Sequence, residues 1–494
     1  MQPRIDLKIH DRTKLRNAIQ RAREQKIIIP TFRQMINPDL IPRAVKARLA
    51  DIGLWDLNPL NLFRITWHNE PVSRGGGFGR VNSLVLPREL TGIPARIVIL
   101  PGKWFPTGAH KVGAAFGCLV PRLVTGQFDP TREKTVWPST GNYCRGGAYD
   151  ANLLACESIA ILPEGMSRER FDWLAKVAGE IIRTPGSESN VKEIFDKCRE
   201  LSNSGQALCI FNQFEEFGNY LWHYQVTGHA MLEVLEEIMG PEDRLAAMVS
   251  NTGSGGTIAC GDFLKTRFPA AKIVASEALQ CPTLLNNGFG AHRIEGIGDK
   301  HVPWIHNVRN TDVVTAIDDH APMALIRLFN EPAGLEYLSG QGVDPDLAGR
   351  LDLLGISSVA NVLAAIKTAK YYEMDENDVL ITVATDSMEM YRSRLEELAR
   401  EEGEFSARDA AVAHQRYLLG ERCDNMLELR YPDRKRIHNL KYFTWVEQQG
   451  KSFEEIQAQW YDRDYWDSIP GCMEKIDELI GDFNRETGLL RELA

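Results

Sequence analysis

From about residue 95 the chain alternates short apolar runs with segments of helical periodicity, and this alternation restricts it to few folds. The runs are 95–100 (ARIVIL), 135–137 (TVW), 158–163 (SIAILP), 180–183 (EIIR), 207–211 (ALCIF), 246–250 (AAMVS), 272–277 (KIVASE) and 379–384 (VLITVA). Helical segments follow most of them: one after Lys111, one from about Arg145, one over 168–178 and one reaching about 202. Strands separated by helices build βαβ units and therefore parallel sheets, an α/β architecture. Such sheets bind ligands in the loops beyond the carboxyl ends of their strands. Those loops are where functional residues are expected.

The flanks differ. Leu15, Ala18, Ile19 and Ala22 form an i, i+3, i+4, i+7 stripe that predicts an amphipathic helix over 12–26. An irregular, Pro- and Asn-rich arm follows, up to the loop Arg74-Gly75-Gly76-Gly77. The last ninety or so residues carry helical spacing and many aromatics, with few strand signals. They read as a helical appendage that packs either on the core or on a partner subunit. The expected organisation is an extension over 1–84, domains over 85–225 and 226–400, and the appendage over 401–494.

Composition narrows the function classes. The 494 residues suffice for two or three domains, and a net charge of -10 without a basic run argues against nucleic acid. No apolar stretch approaches membrane-spanning length, and the start has no apolar core of a secretory signal. Nine dispersed cysteines with no CxxC pair read as reduced thiols rather than a disulfide framework or zinc site. A cytoplasmic enzyme without a metal and without a membrane partner is expected.

Four loops after strands carry chemistry. Pro106–Lys111 (PTGAHK) puts a lysine at a strand-to-helix turn, where partial burial lowers an amine's pKa and makes it a Schiff-base nucleophile; taken alone, it reads first as a surface lysine. Ser139-Thr140-Gly141-Asn142 offers hydroxyls, an amide and helix-start N–H groups to a carboxylate, or simply caps the helix. Thr252-Gly253-Ser254-Gly255-Gly256-Thr257 lets the backbone approach an anion of phosphate size, and lacks the Lys-Ser/Thr of a nucleotide loop. Thr385-Asp386-Ser387-Met388 either faces the cleft or caps the next helix.

In this order, and joined by NQFE (212–215), HYQVTG (223–228), HRIEGIG (292–298), GISSVANVLAAIKTAK (355–370) and TDSMEMY (385–391), these segments resemble the fold-type II pyridoxal-phosphate enzymes. The likeness is to the cysteine synthase and cystathionine β-synthase branch and spans roughly 85–400. It implies two three-layer αβα domains with mostly parallel sheets, and pyridoxal 5'-phosphate as cofactor. Lys111 would hold the cofactor as a Schiff base and shuttle the α-proton. Asn142 would bond the ring oxygen, and Gly253, Ser254, Gly255, Gly256 and Thr257 the phosphate. Ser387 would sit at the pyridine nitrogen, a choice over adjacent Asp386 that rests on family register. Ser139, Thr140, Gly141 and Gln213 would bind the substrate carboxylate.

The implied activity is β-elimination or β-replacement on an amino acid through an aminoacrylate, in the manner of a cysteine synthase, by a homodimer. Departures keep alternatives open. GNYCRGGA (141–148) is similar to a segment of diaminopropionate ammonia-lyases, so an amino-acid ammonia-lyase or dehydratase is the second expectation. Tyr143 is placed in the substrate site on that ground, and Tyr143 and Arg145 either reshape the pocket or pack beneath the helix. DSMEMY lacks the Gly-Glu-Arg typical after that serine. The added termini motivate a third expectation, a cofactor-binding β subunit that needs a partner chain.

Overall fold

The computed structural model describes residues 4–493. Its strands are β1 (Leu84–Leu86), β2 (Arg96–Pro101), β3 (Lys134–Pro138), β4 (Ser158–Pro163), β5 (Glu180–Thr184), β6 (Leu208–Ile210), β7 (Arg244–Asn251), β8 (Lys272–Ala278), β9 (Val313–Ile317), β10 (Asp378–Ala384) and β11 (Met426–Glu428). Every apolar run read as a strand overlaps one of these; β1, β9 and β11 fall outside those runs.

The strands form two sheets. A four-stranded sheet has the order β5-β4-β3-β6 and is parallel throughout. A seven-stranded sheet has the order β1-β2-β10-β7-β8-β9-β11. It is parallel from β2 to β9, with an antiparallel strand at each edge. Side chains alternate across a strand, and on the central strands of both sheets each set is buried. In the smaller sheet Trp137, Ala160 and Leu162 pack with Tyr149 and Leu153 of the helix Asn142–Leu153. Val136, Ile159 and Ile161 pack with Ile194 and Leu201 of the helix Val191–Ser202. In the larger sheet Val98, Leu100 and Ile381 join one cluster, while Ile97, Ile99 and Leu380 join another with the helix Ile356–Tyr371. Burial on both faces explains why these strands read as continuous apolar runs.

Contiguous domain boundaries do not follow the sheets, which corrects the division at 225. β2, assigned by sequence to 85–225, and β1, which straddles the boundary at 84/85, belong to the sheet of residues 244–384, because β2 pairs in parallel with β10 from Arg96↔Val379 to Pro101↔Ala384 and β1 pairs with β2. β11, from the segment 401–494, completes the same sheet by pairing with β9.

The terminal segments pack on the core and on each other. The predicted first helix is Arg12–Glu24, capped by Asp11. The backbone of Ile29 exchanges two hydrogen bonds with the Asn484 amide, at 3.1 and 2.8 Å, in the helix Cys472–Thr487. Lys441 is buried, and its ammonium donates to Trp304 O, His306 O and Gln459 Oε1 at 2.7–2.8 Å. The appendage thus anchors a core loop, and Trp304 in turn bonds Phe214 O, next to Gln213.

Candidate active site

β2, β10 and β7 are neighbours and parallel, so the loops at their carboxyl ends converge. They deliver Lys111, Thr385 and residues 252–257 to one cavity, which Gly296, Ser357 and Asn361 also line. Lys111 begins the helix Lys111–Val124, and its amine donates to Ser254 Oγ at 2.8 Å. Burial lowers the Lys111 pKa to about 8, with Asp299 opposing the shift. An amine with that pKa keeps a sizeable neutral fraction near pH 7 and is a competent nucleophile.

Gly253, Ser254, Gly255 and Thr257 line the cavity. Their backbone N–H groups donate to no protein acceptor. Gly255 sits at φ +76°, a left-handed conformation that glycine supplies without strain. The helix Ala259–Arg267 follows directly. Unpaired N–H groups beside a helix start and an amine are the donor set that a phosphate ester requires, so the residues present fit pyridoxal phosphate. Gly256 departs from the expected cup: it lies against Asn219, whose Oδ1 would stand 2.0 Å from an added Cβ. Asn219 also donates to Ser254 Oγ at 3.0 Å, so Gly256 lets the amide hold the serine.

At the end of β10 it is Thr385 rather than Ser387 that lines the cavity. Ser387 is buried at the start of a 3-10 turn, Met388–Met390, and does not line the cavity. Thr385 does. β10 ends at Ala384, so Thr385 is the first side chain beyond the sheet, and its Oγ1 lies 3.2 Å from His110 Nε2. His110 is buried and stacks edge-on against His223 at 4.9 Å; burial pulls both rings well below the ordinary histidine range, so both are neutral.

Between Thr385 and Ser387 the chain turns through a charged network. The Asp386 carboxylate accepts from Asn142 Nδ2 and Tyr391 OH, both at 2.7 Å. The Asn142 carbonyl accepts from Arg145 Nη1 at 3.1 Å, and Arg145 Nη2 donates to Thr107 O at 2.5 Å. Asn142 therefore fixes the strand-end loops against one another and is not among the cavity-lining residues. Arg170, fully buried, bonds Thr140 O at 3.1 Å and Tyr391 OH at 2.7 Å, and pairs with Glu295 at 2.7 Å. Burial opposes its charge, but Tyr391, Glu295, Glu188 and Asp386 hold its pKa above the ordinary value. Gly141, at φ +153°, leaves room for this side chain; a Cβ there would meet Arg170 Cδ at 2.7 Å.

Of the expected carboxylate residues, Ser139 and Gln213 meet. The Ser139 hydroxyl accepts from Gln213 Nε2 at 3.3 Å and from Gly141 N–H at 3.0 Å. Thr140 contributes its carbonyl to Arg170. Tyr143 is a correction: its ring packs edge-on against Trp137 at 5.5 Å within the core, with the hydroxyl toward Cys118. It occupies the helix face turned to the sheet, so Tyr143→Phe is expected to leave KM untouched and to shift stability by no more than about 1 kcal/mol; steady-state kinetics and urea unfolding check this. Sequence reasoning missed Thr385 as a lining residue, and also Arg170 and Asp299. Asp299 had a signal, since it directly follows HRIEGIG, whereas Arg170 had none.

Comparison with known proteins agrees with this geometry. Residues 104–336 match the family described as pyridoxal-phosphate dependent enzyme. The chain is 29% identical to a probable cysteine synthase of Bacillus subtilis over 289 residues, 58% of this chain and 85% of that protein. It is 27% identical to cystathionine beta-synthase of Saccharomyces cerevisiae over 318 residues, 63% of this chain and 59% of that protein. An O-acetylserine-dependent cystathionine beta-synthase from Helicobacter pylori has a similar fold, with a TM-score of 0.52 and 25% identity over 64% of this chain and 95% of that one. Residues 104–336 thus match the pyridoxal-phosphate dependent enzymes, and the chain is similar to cysteine synthases and to cystathionine beta-synthase.

Proposed function

We propose that this enzyme removes or exchanges the β-substituent of a small amino acid. Bound pyridoxal phosphate supplies the electron sink that weakens the bonds at the substrate's Cα. The N–H groups of Gly253, Ser254, Gly255 and Thr257 would hold its phosphate, and the Lys111 amine would attach it. The freed Lys111 amine then takes the Cα proton. Ser139, Thr140, Gly141 and Gln213 hold the substrate carboxylate, and Asn142, tied to Asp386 and Arg145, keeps the STGN loop in place.

The observation that carries this reading is Thr385, a neutral hydroxyl, in the cavity of Lys111. A hydroxyl at the pyridine nitrogen would not give it a full proton as a carboxylate would, so the sink would stay mild. A mild sink favours loss of a β-substituent over transamination. GNYCRGGA, which motivated an ammonia-lyase, supports that alternative less, since Tyr143 packs against Trp137 in the core and Arg145 is tied to Asn142 and to Thr107 O.

The test is turnover of O-acetylserine with and without sulfide. Cysteine with sulfide, and slower pyruvate formation without it, is the expected result. Pyruvate alone in both conditions would move the assignment to a lyase, and no turnover of any β-substituted amino acid would overturn it.

A further inference from the structure

Residues 401–494 lie outside the segment that matches the family, yet Lys441, fully buried, turns its amine toward the core. It ends the helix Tyr431–Lys441. Besides Trp304 O and His306 O, the amine bonds Gln459 Oε1 on the helix Phe453–Tyr461. Three acceptors match the three N–H bonds of an ammonium. Burial works against that charge and pulls the pKa well below the lysine range. A methionine would fill similar space without desolvating a charge. What the amine contributes is therefore direction: it fixes the backbone at 304–306. The Gln459 amide also donates to Trp304 O, at 3.2 Å, and Trp445 Nε1 donates to Val302 O at 2.8 Å. The appendage thus holds the loop 302–306 at several backbone carbonyls.

That loop touches the site on two sides. Trp304 N–H donates to Phe214 O at 2.9 Å, and the residue before Phe214 is Gln213, whose amide reaches Ser139 Oγ. On the other side, a Cβ added to Gly255 would stand 3.1 Å from His306 Cβ and 3.2 Å from Pro303 Cβ, so the loop backs the phosphate cup. Packing adds a further link: the His301 ring lies 4.8 Å from Phe214 and 5.7 Å from Trp445.

We propose that the appendage completes the active site, with Lys441 as a positioning residue that sets the place of Gln213 and backs the phosphate cup through the loop 302–306. This rests on the roles given above to Gln213 and to residues 253–257. Lys441 is not among the cavity-lining residues and moves no proton. Its bonds hold Trp304, and Trp304 holds Phe214. Gln213 is then fixed from one side by Phe214 and from the other by Asn219, which donates to its carbonyl at 3.0 Å. Released at Trp304, Gln213 keeps its chemistry but not its orientation, so the substrate carboxylate binds less tightly. Proton transfer at Lys111, on a separate helix, keeps its geometry.

Lys441→Met is the test. It is expected to raise KM for O-acetylserine about 10-fold with kcat changed less than about 3-fold, and to weaken pyridoxal phosphate binding. Trp445→Phe, which deletes one N–H to the same loop, should move both in the same direction by less, and it decides alone if Lys441→Met does not fold. Asn484→Ala is the reference for general loosening, because Asn484 ties the appendage to Ile29 instead; it should move neither. Amide exchange in the cofactor-free protein needs no turnover. The Trp304 and Ile305 amides, which donate to Phe214 O, should exchange faster in Lys441→Met and not in Asn484→Ala. Unchanged KM and cofactor affinity, unchanged exchange, or equal shifts in Asn484→Ala would each overturn the proposal. If wild type turns over no β-substituted amino acid, the functional reading fails by itself, and cofactor affinity with amide exchange still decides whether Lys441 positions this loop.

Discussion

Lys111→Ala removes the near-visible absorption of the holoenzyme and lowers turnover by about 10³-fold or more. The amine has two uses, and the substitution ends both. It attaches the cofactor, and its pKa of about 8 suits it to take a proton from carbon once freed. The wild type should show the band after cofactor addition, and borohydride should abolish it. The variant should show neither the band nor borohydride trapping, while circular dichroism stays unchanged. Lys111 occupies the first position of its helix, and its one protein hydrogen bond goes to Ser254, which Asn219 also holds. A wild type that stays colourless with the cofactor would refute the assignment.

Arg170→Met destabilises the protein by about 3–5 kcal/mol, the cost of leaving buried charges without their partner. Arg170 bonds the Thr140 carbonyl of the STGN loop, the Tyr391 hydroxyl and Glu295, and it lies 3.7 Å from Asp386 and 3.9 Å from Glu188. Burial already pushes the Glu188 carboxyl up to about 8 despite the pull of Arg170. Without the guanidinium these acids must take up protons or unfold the region. Chemical denaturation measures the loss, and cofactor affinity should fall with it because Asp386 sits one residue from Thr385. Arg170→Lys keeps the charge but loses the planar fork that reaches several acceptors at once, so it should recover only part of the stability. A change below about 1 kcal/mol would show that the network is dispensable.

Much of the site was legible because its signals are local. A strand followed by PTGAHK, STGN or GSGGT and then a helix is written in consecutive residues, and parallel pairing brings strand ends together whatever the details. The α/β class, Lys111, the Ser139–Gly141 loop and most of the phosphate cup follow from that. The errors came where one side chain had to be chosen over its neighbour. Ser387 and Thr385 are equally polar and two residues apart, and only the point where β10 ends beside β2 selects Thr385. Tyr143 follows Asn142, but the packing of Trp137 and Cys118 draws its ring into the core.

The sequence by itself determined the layered α/β core and the lysine at the head of its helix, since periodicity and loop composition act over a few residues. Tertiary structure decided how the chain divides between sheets, because β2 and β11 find their partners far along the chain. It also decided the company of Lys111. Arg170 bridges loops more than 200 residues apart, and Ser254 meets Lys111 across 143 positions of sequence. Burial and charge pairing at that range depend on which elements pack together, and no local pattern of residues encodes it.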